Sequence, residues 1–158
     1  MAQLRNSHNY EFMRNLALIL ILLHLFIMNL HGQIEPERNS FYYYDSLTIE
    51  FYKVEDAILS VRKVGSGPPL IFVHGFMVNG RTWRFIIPEL AKTHTCYIVE
   101  SAGFGDTQWD KKTKFDFSAH TRRYIALFKI LGLKTYGLVA HDTGGSIARM
   151  IAISEKMQ

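Results

Sequence analysis

With 158 residues, 48% of them hydrophobic and 20% charged, the chain is long enough for one domain with a core and too apolar to be disordered. The formal net charge of +4 is scattered, and its densest group, Lys111, Lys112 and Lys114, is followed at once by Asp116. That group reads as a solvated loop, no nucleic-acid-binding signature is present, and the single cysteine, Cys96, excludes an intrachain disulfide or a cysteine-based metal centre.

Leu16 to Leu30 reads LALILILLHLFIMNL, behind Arg5 and Arg14 and ahead of polar residues from His31. A positive leading end before an apolar segment is the pattern of an export signal. At about fifteen residues the segment is short for a membrane span, which needs roughly twenty. Residues 1–32 are therefore expected to be a signal peptide, with cleavage near His31-Gly32-Gln33, or else a membrane anchor through residues 16–30. The chain would be exported or membrane-associated. Residues 33–48, with Pro36 and the run Phe41-Tyr42-Tyr43-Tyr44, read as a linker or early edge segment. Residues 49–158 carry the domain pattern.

Ile49–Val54 and Ala57–Val64 are strand-like and separated by Glu55-Asp56, which predicts a hairpin. Gly65-Ser66-Gly67-Pro68-Pro69 breaks the chain. Leu70-Ile71-Phe72-Val73 then reads as a strand buried on both faces. A helix is expected from about Thr82 to Lys92, bent or restarted at Pro88, and a strand at Cys96–Val99. A second helix is expected over about Ser118–Leu131, capped by Ser118 and stopped by Gly132. A strand at Tyr136–Ala140 and a helix from near Gly144, carrying Ile147, Met150 and Ile151 inward, complete the series. Strands alternating with helices imply right-handed crossovers. The expected class is α/β: an N-terminal hairpin leading into a mostly parallel sheet with helices on both faces.

Two segments carry chemistry. In Ala140-His141-Asp142-Thr143-Gly144-Gly145 a predicted strand runs into a predicted helix through a turn flanked by small residues. Such a turn lifts its apex side chain, here Asp142, above the sheet, at a helix N-terminus that favours negative charge. Val73-His74-Gly75-Phe76 directly follows the first buried strand, where this kind of fold supplies a backbone N–H to an oxyanion hole. Phe76 would be one donor and Thr143, after the apex, the other. His74 is expected to orient that loop rather than act as a base, with Gly75 and Gly144 allowing close approach. Trp83 is expected to pack, the alternative being the pocket floor near Asp142. Asp142 as a plain helix cap is the competing account of the turn. His94 and His120 are expected at the surface, and His141 is expected to point away from the apex.

From about Pro69 to Ser154 the chain resembles the α/β-hydrolase superfamily. Its Asp apex is similar to the branch holding epoxide hydrolases and haloalkane and haloacetate dehalogenases. Glu100-Ser101-Ala102-Gly103-Phe104-Gly105-Asp106-Thr107 resembles the turn after that family's next strand. The resemblance implies an aspartate nucleophile attacking a saturated carbon of a small organic substrate, an epoxide or organohalide, to form an ester that water then hydrolyses. It implies no cofactor, and neither a nucleotide-binding glycine pattern nor a metal cluster is present in the sequence. Haloalkane dehalogenases usually carry Trp after the nucleophile and Asn in the oxyanion loop, where this chain has Thr143 and Phe76. Haloacetate dehalogenases usually have Arg after the nucleophile, and epoxide hydrolases often have Pro where this chain has Met77. In the family the acid and the histidine follow the nucleophile, whereas no histidine follows His141 here. The expectation is an incomplete hydrolase. The alternative is a non-catalytic exported binding or structural module, or an inactive fragment.

Overall fold

The computed structural model describes residues 16, 18–30 and 39–156, in two units, Met1–Asn39 and Ser40–Gln158. In the first unit residues 18–30 are helical, with exposed Leu, Ile and Phe side chains. Among the described residues no helix is long and apolar enough to cross a membrane. The expected cleavage region at His31-Gly32-Gln33 lies outside the described residues.

The second unit is built on a sheet. Its strands are β1 (Ile49–Val54), β2 (Ala57–Val64), β3 (Pro69–Val73), β4 (Thr95–Val99), β5 (Gln108–Trp109) and β6 (Gly137–Ala140). The order is β1-β2-β4-β3-β6, with β5 pairing β2. β2 pairs antiparallel with β1, β4 and β5, while β3 pairs parallel with β4 and β6. Phe72 stands in register with Ile98 on one side and Val139 on the other, so β3 is central. Side chains alternate along a strand, so a strand covered on both faces feeds two cores. Ile71, Val73, Tyr97 and Val99 enter one core, while Phe72, Cys96 and Ile98 enter the other. This is why β3 and β4 read as continuous apolar runs.

The first core is covered by α2 (Phe117–Ile130) and α3 (Thr143–Lys156), which contribute Tyr124, Leu127, Phe128, Ile147 and Ile151. Met150 of α3 is only half-buried. The second core is covered by Trp83, by Ile87 of the short helix α1 (Ile87–Leu90), and by Tyr44.

Four expectations are corrected. Residues 40–46 are helical rather than linker, and Tyr44 is 1% exposed. The reason is a polar anchor at the base of an apolar ring: the Tyr44 hydroxyl donates to Glu100 Oε1 at 2.9 Å. The helix expected over Thr82–Lys92 is two short pieces, a 3-10 turn at Gly80–Trp83 and α1. Pro88 has no N–H to close a continuous helix, and Asn79 caps the first piece, its side chain accepting from Arg81 N. α2 is capped by Asp116, not Ser118. The Asp116 carboxylate accepts from Ala119 N at 2.9 Å, a bond that also lowers its pKa. His120 is buried at 6% exposure, because it lies on the face of α2 turned to the sheet. Gly132 does end α2: at φ +66 it lets the Leu133 amide reach back to Phe128 O.

Candidate active site at the turn after β6

β6 runs into α3 through His141 and Asp142, and Asp142 adopts φ +52. This left-handed conformation is costly for a residue with a Cβ and persists only where the surroundings impose it. Gly144 shows what imposes it. A Cβ there would lie 2.3 Å from Val73 O and 2.6 Å from His74 O, so α3 starts with its backbone pressed on the end of β3. A Cβ on Gly75 would lie 2.6 Å from Asp142 Oδ2. The two glycines let the apex and the loop after β3 close on each other.

The contact they permit is a hydrogen bond from Phe76 N to Asp142 Oδ2 at 2.9 Å. A capping aspartate accepts from its own helix and has extended backbone. Here the carboxylate accepts from a residue 66 positions earlier, and the Gly145 amide is taken by the Asp142 backbone carbonyl at 2.9 Å. The geometry is that of a presented carboxylate and not of a helix cap.

The loop itself is held from behind. His74 is 2% exposed; its Nδ1 lies 2.8 Å from Gly75 O, and Ser101 N donates to its Nε2 at 3.0 Å. An acceptor at Nε2 requires the proton on Nδ1, which then donates to the Gly75 carbonyl. Both ring nitrogens thus meet backbone partners, and Glu100 Oε2 stands 3.5 Å from Nε2. Below His74, Glu100 is 2% exposed and accepts from Tyr44 Oη and from Gly80 N, with Arg62 Nη1 at 3.9 Å. Arg62 also donates to Asp106 at 3.0 Å. This network ties β2, the 40–46 helix and the loop after β4 beneath the site.

Gly75, Phe76 and Thr143 line a cavity of about 470 Å³ together with His74, Phe104 and Ile147. Its further walls come from residues with no place among the expected site residues: Trp109, Phe115, Phe117 and His120. Their sequence signal was present, three aromatics between positions 109 and 117 in an otherwise polar stretch. Burial is the main cause that lowers the His120 pKa, followed by the charge of Arg123. Trp83 is not among the lining residues. It packs edge-on against Phe72 at 5.4 Å and His141 at 5.0 Å between ring centroids, which also accounts for His141 turning away from the apex.

The sequence model of the alpha/beta hydrolase fold matches residues 68–156, more than half of the chain and all of the elements just described from β3 onward. The chain belongs to the α/β-hydrolase fold family. The chain is 34% identical over 92 residues to a soluble epoxide hydrolase of Corynebacterium sp. (strain C12), a match covering 58% of the chain and 32% of that protein. It is 29% identical over 104 residues to a fluoroacetate dehalogenase of Burkholderia sp, covering 63% and 34%. The solved epoxide hydrolase of Vigna radiata superposes with a TM-score of 0.64 at 24% identity, over 69% of the chain and 36% of that structure, a likeness of fold. The chain spans about a third of the length of these proteins. Met77, where epoxide hydrolases often carry proline, sits at φ +61, a backbone angle that proline's ring forbids.

Proposed function

We propose that these residues carry the ester-forming half of a hydrolase reaction, with Asp142 as nucleophile and an epoxide or organohalide as substrate. The observation that carries this reading is the bond from Phe76 N to Asp142 Oδ2 on a turn at φ +52. It leaves Oδ1 as the oxygen that attacks. Oδ1 bonds to the electrophilic carbon while the carbon–oxygen bond of the epoxide breaks, and the released alkoxide takes a proton from water. With an organohalide the halide leaves instead. Oδ2 then becomes the carbonyl oxygen of the ester, already resting on the Phe76 amide. The Thr143 amide, in the first turn of α3, is the second donor proposed for the oxyanion. His74 holds the loop and takes no part in proton transfer, since its two nitrogens are bonded to backbone. Gly75 and Gly144 keep the loop and the turn within reach. For residues 16–30 an export or anchoring role stands as a proposal, which cell fractionation of the chain tests.

The test is intact-mass analysis after incubation with an epoxide. One adduct of the epoxide's full mass is expected on the wild-type chain, mapped to Asp142, and none on Asp142→Asn. An adduct elsewhere, or equal labelling of the variant, rejects Asp142 as the nucleophile. Accumulation of the ester distinguishes a chain that only alkylates from one that turns over.

A further inference from the structure

Four large aromatic side chains around one cavity are left open: Phe76 at 62%, Trp109 at 55%, and Phe115 and Phe117 at 48% exposure each. Scattered exposed apolar residues are ordinary, but a cluster walling one concavity marks a contact surface. The rings are organised. Phe76 meets Phe104 edge-on at 6.0 Å, and Trp109 meets Phe115 edge-on at 5.4 Å. Asp142 does not itself line the cavity, but Phe76, whose amide donates to its carboxylate, and Thr143, the next residue, both do. Its volume of about 470 Å³ falls within the range of small-molecule sites.

Its charge is equally informative. No lysine, arginine, aspartate or glutamate lines it, and its titratable wall residues are His74, bonded to backbone, and His120. An anionic substrate arm would give up part of its hydration here with no cation to replace it. An aromatic arm would lose nothing and could meet the ring edges in the offset geometry that aromatic pairs favour.

We propose that the wall built by the β5–α2 segment, Trp109, Phe115 and Phe117, selects a neutral, aryl-bearing substrate for the attack at Asp142. This rests on the reading of Asp142 as nucleophile and adds the substrate class. The segment is a specificity element separate from the turn and the oxyanion loop. It is held in place by Asp56, whose carboxylate accepts from Lys114 N at 2.9 Å and whose carbonyl accepts from the Thr113 hydroxyl at 2.7 Å.

The test compares styrene oxide, 1,2-epoxypropane and chloroacetate as alkylating probes of the full chain, followed by intact mass. Each rate is divided by the probe's rate with free acetate. Burial of one phenyl ring should favour styrene oxide over 1,2-epoxypropane by about tenfold or more. Phe117→Ala and Trp109→Ala should bring that ratio close to one, with an unchanged far-UV spectrum. Both positions are half-exposed, so truncation leaves the core intact. A second measurement needs no reaction: saturable quenching of Trp109 fluorescence by 1-phenyl-1,2-ethanediol, in the wild type and in Asp142→Asn, with Trp109→Phe as the control. Equal normalised rates for the two epoxides, or faster labelling by chloroacetate, overturn the aryl pocket while leaving Asp142 as nucleophile. Diol binding lost in Phe117→Ala, with no adduct from any probe, supports the pocket and removes the nucleophile. Neither binding nor adduct rejects both.

Discussion

Replacing Asp56 by alanine should be among the most damaging single changes outside the core. Asp56 lies in the β1–β2 turn, and its Oδ1 accepts from Arg123 Nε at 2.7 Å. Arg123 is 1% exposed and also donates to Lys114 O, while its Nη1 has no partner. Removing the carboxylate leaves a buried guanidinium with one bonded carbonyl and no counter-charge. Breaking a buried pair in this way costs about 3–5 kcal/mol. The Asp56 side chain is 31% exposed, so water already screens one side of the pair and the lower end, about 3 kcal/mol, is expected. That is a shift of roughly 100-fold in the folded-to-unfolded ratio. Arg123→Met should cost less, because a partly exposed carboxylate can rehydrate. The double variant should cost at least ~1 kcal/mol less than the sum of the two single changes. Urea unfolding of the four proteins measures all three values. The hydrogen bond from Arg123 holds the Asp56 carboxyl well below the ordinary carboxylate range. Its contribution is therefore complete above about pH 4 and is lost as the pH falls through the depressed folded value. The wild type should lose more stability between pH 7 and pH 3 than Asp56→Ala does. A single-variant cost under ~1 kcal/mol, or energies that simply add, would refute the reasoning. Because the Asp56 carboxylate also anchors Lys114 N, while the Thr113 hydroxyl keeps its bond to the main-chain carbonyl of residue 56, the variant should weaken diol binding as well.

Two glycines of the turn offer a matched pair. Gly144→Ala should cost about 1–3 kcal/mol and slow ester formation, because its Cβ has only rigid backbone to displace; Gly145→Ala meets nothing within 4 Å and should stabilise α3 by up to ~1 kcal/mol. Urea midpoints and adduct rates of the two variants check both. His120 binds its proton less readily folded than unfolded, owing to burial, Arg123 and His74, with Asp116 opposing them. Stability should thus decline as pH falls below about 6.5 and level off beneath the folded value, a slope that His120→Gln should flatten in melts taken from pH 8 to pH 4.

The local features of the fold were legible in the sequence. The hairpin turn, the double-faced strands and the small residues around Asp142 each follow from rules acting over a few residues. What was not legible joins distant segments. Tyr44 sits in an aromatic run with no period, and the contacts that dock its segment, among them its bond to Glu100 56 positions away and the pairing of Asp45 with Arg81, all reach distant residues. Asp116 lost out to Ser118 as the expected cap, although it stands three residues before the amide it satisfies, Ala119. The cavity wall needed the 109–117 segment brought beside Phe76, and that depends on a pairing of Asp56 with Arg123 across 67 positions. No periodicity encodes such a contact. For the site, the apex turn, the two glycines and the loop-orienting place of His74 were expected from the sequence, while the partners of each His74 nitrogen, Gly75 O and Ser101 N, depend on contacts that no local pattern encodes.

The bond that presents Asp142 has opposite effects on the two halves of the proposed reaction. A donor to a carboxylate makes a charge-assisted bond, which stabilises the ground state and so opposes the first attack. Alkylation turns Oδ2 into a neutral ester carbonyl, and the same bond weakens. When water adds to the ester, charge returns to Oδ2 and the bond strengthens again. Only an interaction that is tighter in the transition state than in the state before it accelerates a step. In the proposed reaction the Phe76 amide would therefore serve the hydrolysis of the ester and work against its formation. What favours formation must come from elsewhere, and the uncharged aromatic cavity beside the turn can raise the second-order rate of alkylation by holding the neutral substrate arm. On this view the two features are complementary: the backbone loop is tuned for the second step and the β5–α2 wall for the first. Substitutions in the wall should then alter the rate of ester formation and leave the lifetime of an accumulated ester unchanged. A wall variant that shortens or prolongs that lifetime as much as it slows formation would show that the two steps are not divided in this way.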